Sequence, residues 1–106
     1  MKIGWTTIGT LAAAKVLARG LIENRFAACV QIDGPITSVY RWDDETSSEE
    51  EYRLTVKFLP ENSTAVEGHL AAAHPYDTPE WIVVDAEYVS EKYLSWAKAN
   101  SSSLTL

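Results

Sequence analysis

Four potentially functional side chains crowd one short segment, His74-Pro75-Tyr76-Asp77-Thr78-Pro79-Glu80. An imidazole nitrogen and two carboxylates on a proline-stiffened loop are ligands that a divalent cation such as Cu²⁺ or Zn²⁺ accepts. The set to bring to such an ion is His74, Asp77 and Glu80. Their spacing matches no established ligand signature, and closed zinc sites draw on three or four protein ligands. A loop histidine hydrogen-bonded to a carboxylate accounts for the same residues. Acid–base catalysis by His74 with Glu80 has only their closeness in sequence behind it. His69 does not join the set, because five helical positions turn it about 140° from His74.

Elsewhere the signals for chemistry are thin. Cys29 lies in the apolar stretch Phe26-Ala27-Ala28-Cys29-Val30, where cysteine behaves as a small hydrophobe. A nucleophilic role needs an adjacent base and an electropositive setting, and the nearby residues supply neither. No Ser-His-Asp spacing, phosphate loop or dinucleotide fingerprint occurs, so the chain reads as non-enzymatic. Tyr40, Trp42, Tyr52, Tyr76, Trp81 and Trp96 are many large aromatics for this length. They suit a core first, then an interface or a ligand pocket. Lys57 stands inside a β-type pattern, where an ammonium either faces solvent or needs an anionic partner.

Periodicity and turn residues set the elements that must position these groups. Ile3–Thr7 reads as a short strand, and Thr7 or Thr10 can cap a helix over about 10–24. Ala14, Leu17, Ala18 and Leu21 form its core-facing stripe, and Asn24 is its stop. Residues 26–32 predict a strand, punctuated at Gly34-Pro35 by a bulge or bend. The strand pattern resumes over 36–43, with Ile36, Ser38, Tyr40 and Trp42 on one face. Tyr52–Leu59 alternates again, so the two runs predict a hairpin with the acidic segment 43–51 at its exposed tip. Both arms are long for so small a domain.

Pro60-Glu61-Asn62-Ser63 opens a second helix carrying Val66, Leu70 and Ala73, and Pro75 ends it at His74. Trp81–Tyr88 reads as the last strand, Ser90 as the cap of a helix over about 91–99, and 101–106 as a frayed tail. The order β-α-β-β-α-β plus one helix predicts an α+β fold, the ferredoxin-like split β-α-β sandwich. Residues 1–106 then make one domain.

The composition bounds what this domain can bind. Hydrophobic residues make up 46% and charged residues 23%, an ordinary globular balance. Nine Lys and Arg against fifteen Asp and Glu leave a net charge of -6. Residues 43–51 hold six acids and no base, which leaves nine acids against nine bases elsewhere. No basic patch exists, so binding to a nucleic-acid backbone is not expected. A single cysteine forbids an intrachain disulfide and suits the reducing cytoplasm. The N-terminus has no signal-peptide pattern, and no apolar run approaches a membrane span.

Read together, several segments resemble the CutA family of divalent-cation tolerance proteins. They are Ala28-Cys29-Val30, Thr37-Ser38-Val39-Tyr40-Arg41-Trp42, Glu51 six positions before Lys57, the 74–80 loop, and Tyr93-Leu94-Ser95-Trp96. The match spans almost the whole chain in the right order. The resemblance implies a cytoplasmic homotrimer whose long hairpins pair between subunits, with no obligatory cofactor and weak binding of Cu²⁺ or Zn²⁺. It places Tyr40, Trp42, Glu51, Lys57, His74, Tyr76, Glu80 and Trp96 in an inter-subunit cleft. His74 and Glu80 would be the metal ligands there, with Lys57 available to Glu51 or an anion. The trimer also resembles the PII signalling proteins, so the alternative is a regulator holding a small effector or a protein partner in that cleft.

The chain departs from the family pattern at three places. Trp5-Thr6-Thr7 stands where some metal-binding members carry a cysteine, Asp43-Asp44-Glu45 replaces the usual Gly and Lys, and Phe58 replaces a common threonine. The first departure removes a soft thiolate, which weakens the case for tight copper binding.

Overall fold

The computed structural model describes residues 1–102. The elements are β1 (Lys2–Ile8), α1 (Leu11–Glu23), β2 (Cys29–Trp42), β3 (Glu45–Phe58), a 3-10 turn (Pro60–Asn62), α2 (Ser63–Ala73), β4 (Ile82–Asp85) and α3 (Glu91–Ala99). One four-stranded sheet runs in the order β2-β3-β1-β4, and every neighbouring pair is antiparallel.

Local chemistry explains the helices. The Thr10 hydroxyl accepts from the Ala13 amide at 3.1 Å, which satisfies one free donor of the first turn of α1. Ala14, Leu17, Ala18 and Leu21 are buried at helical spacing, and the Asn24 amide donates to the Gly20 carbonyl at the other end. From α2, Val66 and Leu70 reach the same core. The sheet supplies Ile8, Leu54, Val56 and Phe58, so α1 and α2 cover one face. Gly4 admits the Trp81 indole, whose ring carbons would lie 2.7 and 2.8 Å from a Cβ there. That indole stacks on Phe58 at 6.0 Å between centroids.

The hairpin differs from the sequence expectation. Instead of a strand over 26–32 and another from 36, β2 is one strand of 14 residues starting at Cys29. The pairing passes from Asp33↔Arg53 to Ile36↔Glu51, so β2 carries one residue more than β3 at Gly34-Pro35. Gly34 has φ of 145°, a conformation costly for any residue with a Cβ. Because side chains alternate, this extra residue reverses the parity of β2. Odd positions up to Asp33 and even positions from Ile36 onward share the face opposite the helices. Ile36, Ser38, Tyr40 and Trp42 therefore sit directly across from Glu51, Glu49, Ser47 and Glu45.

The acidic segment is not a tip. Only Asp43 and Asp44 form the turn, both with positive φ, as a two-residue hairpin loop requires. Glu45, Glu49, Glu50 and Glu51 belong to β3. Glu and Ser have poor intrinsic strand preference, but a paired strand opposite holds them extended. β1 pairs with β3 only as far as Tyr52, so residues 36–51 extend past the sheet as an arm of seven cross-strand pairs.

Two further expectations are corrected. The last strand ends at Asp85 rather than Tyr88: Asp85 is paired with Lys2, the first residue of β1, and beyond it the Ala86 amide donates to the Met1 carbonyl at 2.9 Å without extending the strand. The frayed tail does not begin at Ser101: its hydroxyl donates to the Ala97 carbonyl, and the Ser102 amide donates to Arg25 at 2.7 Å. The remainder of that expected tail, 103–106, lies outside the described residues.

Candidate functional site

The arm and the 74–80 loop enclose an open cleft of about 680 Å³. The parity reversal in β2 turns Ser38, Tyr40 and Trp42 to one wall of it, beside Glu49 and Glu51 of β3. The loop supplies Tyr76, Asp77, Thr78 and Glu80, and Thr7 of β1 closes the base. Four carboxylates line the cleft and no Lys, Arg or His does.

Glu51 is the most enclosed of these carboxylates, 7% exposed. The Tyr76 hydroxyl donates to its Oε2 at 2.9 Å. That is its only hydrogen bond among the described residues, and neither of the two ion pairs found there involves it. Burial and the Glu51 carboxylate push the Tyr76 phenol up to about 12. The Tyr40 phenol is also raised, by burial and then by the neighbouring Glu49. Both rings thus stay protonated at neutral pH and serve as donors to carboxylates.

His74 has a different place from the one its spacing suggests. It is buried behind the cleft, with Nε2 3.0 Å from the Thr7 carbonyl and Nδ1 3.1 Å from the Tyr76 amide. A carbonyl only accepts and an amide only donates, so the partners fix the neutral tautomer with its proton on Nε2. Neither ring nitrogen remains for an ion. The ring instead braces the loop, edge-on to Tyr76 at 4.8 Å. Glu80 stays on the cleft wall without it, so the two expected ligands do not converge. Among the described residues, no three His, Cys, Asp or Glu side chains are grouped to hold a metal ion. The described residues of this single chain thus offer no closed inner-sphere metal site.

The expected cleft residues divide into two groups. Tyr40, Trp42, Glu51, Tyr76 and Glu80 come together. Lys57 lies six residues along β3 from Glu51, about 20 Å at strand rise, so the two cannot pair within one chain. It is opposite Cys29 and 5.7 Å from the Tyr93 ring centroid. Trp96 of α3 lines a separate shallow pocket with Ile22, Arg25 and Ala28. An anionic effector would therefore find no cation in the cleft. The aromatics are also not mainly core: Tyr40, Trp42, Tyr76 and Trp96 are exposed, while Tyr52 and Trp81 pack on the core. Sequence reasoning missed Glu49 because it lay in the supposed tip. Counting alternation back from Tyr52 along β3 would have put it on the Glu51 face.

A four-stranded antiparallel sheet backed by helices, with an acidic aromatic cleft beside a long hairpin, defines a small α+β protein. Residues 2–100 match the family model described as CutA1 divalent ion tolerance protein. The chain belongs to this family. It is 33% identical over 95 residues to the divalent-cation tolerance protein CutA of Thermus thermophilus, covering 90% of this chain and 92% of that protein. It is 35% identical over 94 residues to the chloroplastic protein CutA of Arabidopsis thaliana, covering 89% of this chain but 52% of that longer protein. The crystal structure of CutA1 from Ehrlichia chaffeensis superposes with a TM-score of 0.92 at 31% identity, covering 95% of this chain and 94% of the other. The family is named for tolerance of an ion rather than for a reaction.

Proposed function

We propose that the protein acts in divalent-cation tolerance without catalysing a reaction, by weak attraction of cations such as Cu²⁺ and Zn²⁺ to the cleft carboxylates. The observation that carries this reading is a cleft lined by Glu49, Glu51, Asp77 and Glu80 with no cationic side chain. Scattered carboxylates and no thiolate favour low affinity over a tight copper site. The contacts come from carboxylates such as Glu51 and Glu80, while His74 holds the loop.

The working form is a homotrimer of ferredoxin-like subunits. An isolated two-stranded arm is marginal in water, and residues 36–51 have no third strand among the described residues. Neighbouring copies supply the missing partners, and symmetry does so three times at once. Its place is the cytoplasm, in keeping with a lone, half-buried Cys29. No helix among the described residues is long and apolar enough to cross a membrane.

Calorimetric titration with Cu²⁺ and with Zn²⁺ tests the metal reading. Weak, salt-sensitive binding should fall in Glu51→Gln and persist in His74→Ala. Heat that vanishes in His74→Ala, or that is unchanged in Glu51→Gln, would refute it.

A further inference from the structure

We propose that α3 is a flap latched by Arg25, and that its release frees the side of Cys29 and Lys57 against which Tyr93 lies. Helix α1 ends in a Schellman turn: the Arg25 amide donates to the Ile22 carbonyl at 2.9 Å and the Phe26 amide to Leu21 at 3.0 Å. The residue just past the cap of such a turn is left-handed and is usually glycine. This chain places arginine there, with φ of 61°. A side chain kept where glycine fits best implies that the side chain itself is needed.

The need is met near the other end of the chain. The Arg25 guanidinium donates through Nη2 to the Ala99 carbonyl at 2.9 Å and to the Ser101 carbonyl at 3.5 Å. Ala99 is the last residue of α3, where free carbonyls carry the negative end of the helix dipole and favour a cation. The Arg25 carbonyl accepts from the Ser102 amide at 2.7 Å, and the Asn62 side-chain amide donates to the Ser102 carbonyl at 3.2 Å. The latch thus ties the end of α3 to the end of α1 and the start of α2.

The rest of α3 is lightly held. Ala97 is its one buried residue, and none of its side chains belongs to the core cluster. Ser90 makes no side-chain cap at its start. The Tyr93 ring centroid is 5.7 Å from the Lys57 ammonium, and Lys57 stands opposite Cys29. Burial, and then the neighbouring Cys29, raise the Tyr93 phenol. All these contacts are inside one chain and outside residues 36–51, so subunits paired along the arm leave them in place. A helix held chiefly at one end opens as a unit at a lower free energy than the sheet.

Native-state amide exchange of the intact protein tests the latch, together with the rate at which an aromatic disulfide labels Cys29. Cys29 is the chain's one thiol, so the label reports one place. Arg25→Gly removes the guanidinium and suits the left-handed backbone, so the Leu54 and Val56 amides of the sheet should stay as protected as before. The Asn100 amide and the Cys29 thiol should each react about tenfold faster, the scale of losing a hydrogen bond to a charged group. Arg25→Asn tolerates the same backbone and carries the same expectation if glycine loosens the turn. Lys15→Ala on the exposed face of α1 should change neither rate. Equal acceleration of the Asn100 and sheet amides would mean global unfolding and would overturn the flap. Unchanged exchange in both Arg25 variants would overturn the latch, as would a Cys29 rate that does not follow the Asn100 amide.

Discussion

Tyr76 joins the loop to the arm through one hydroxyl, and its titration reports that contact. Its phenol ionises near 12 in the folded protein, against 10.0 ordinarily. Below pH 10 both folded and unfolded chains hold the proton, and the contribution to stability is complete. Between the two values the unfolded chain releases it while the folded chain retains it, so stability declines as pH rises. Tyr76→Phe should make that decline shallower in denaturant titrations and remove the last-titrating phenolate from the ultraviolet spectrum. Tyr40 and Tyr93 are raised as well and preserve part of the slope. An unchanged slope would mean that the Tyr76–Glu51 contact does not form. The same neighbourhood marks how far residue-scale reading goes. The 74–80 segment was legible as a polar cluster, but the partner that occupies His74 is the Thr7 carbonyl, 67 positions away. No sequence window contains both, so a structural imidazole could pass for a ligand.

At the scale of elements, the turn of the arm has chemistry to improve. Asp43 and Asp44 have φ of 52° and 63°, a region that costs a residue with a Cβ and suits glycine. Arg41 donates to the Asp44 backbone carbonyl at 3.0 Å, a bond that glycine would keep. Asp44→Gly should therefore stabilise the protein by about 1 kcal/mol in chemical denaturation. A loss of stability would show that the Asp44 side chain, rather than its backbone geometry, matters. Helix α1 was legible because its cap and stripe are local, with Thr10 and Ala13 three residues apart. The distal half of β3 was not, because Glu45-Thr46-Ser47-Ser48-Glu49-Glu50 is extended by its cross-strand partners and not by preference. Alternation over Ile36–Trp42 did give the correct facing, because the reading restarted after Gly34-Pro35.

For the whole molecule, the measurements along its principal axes are 45 × 27 × 23 Å, and the arm extends past the shared sheet. Val39 is 67% exposed on its outer strand, an apolar side chain suited to a neighbouring subunit. Light scattering should give three times the 11.8 kDa chain mass, and Val39→Lys should shift it toward smaller species. A wild-type mass of one chain would remove the trimer. The distribution of charge has a kinetic consequence. Residues 36–51 hold six acids and Arg41, so five of the six net negative charges lie on the arm and one on all the rest. Its field decays over about 10 Å in 0.1 M salt, less than the roughly 20 Å length of the six strand steps from Ile36 to Trp42. An approaching cation is thus steered only within the last few solvent layers, and dilution of salt should quicken its capture more than it slows its escape.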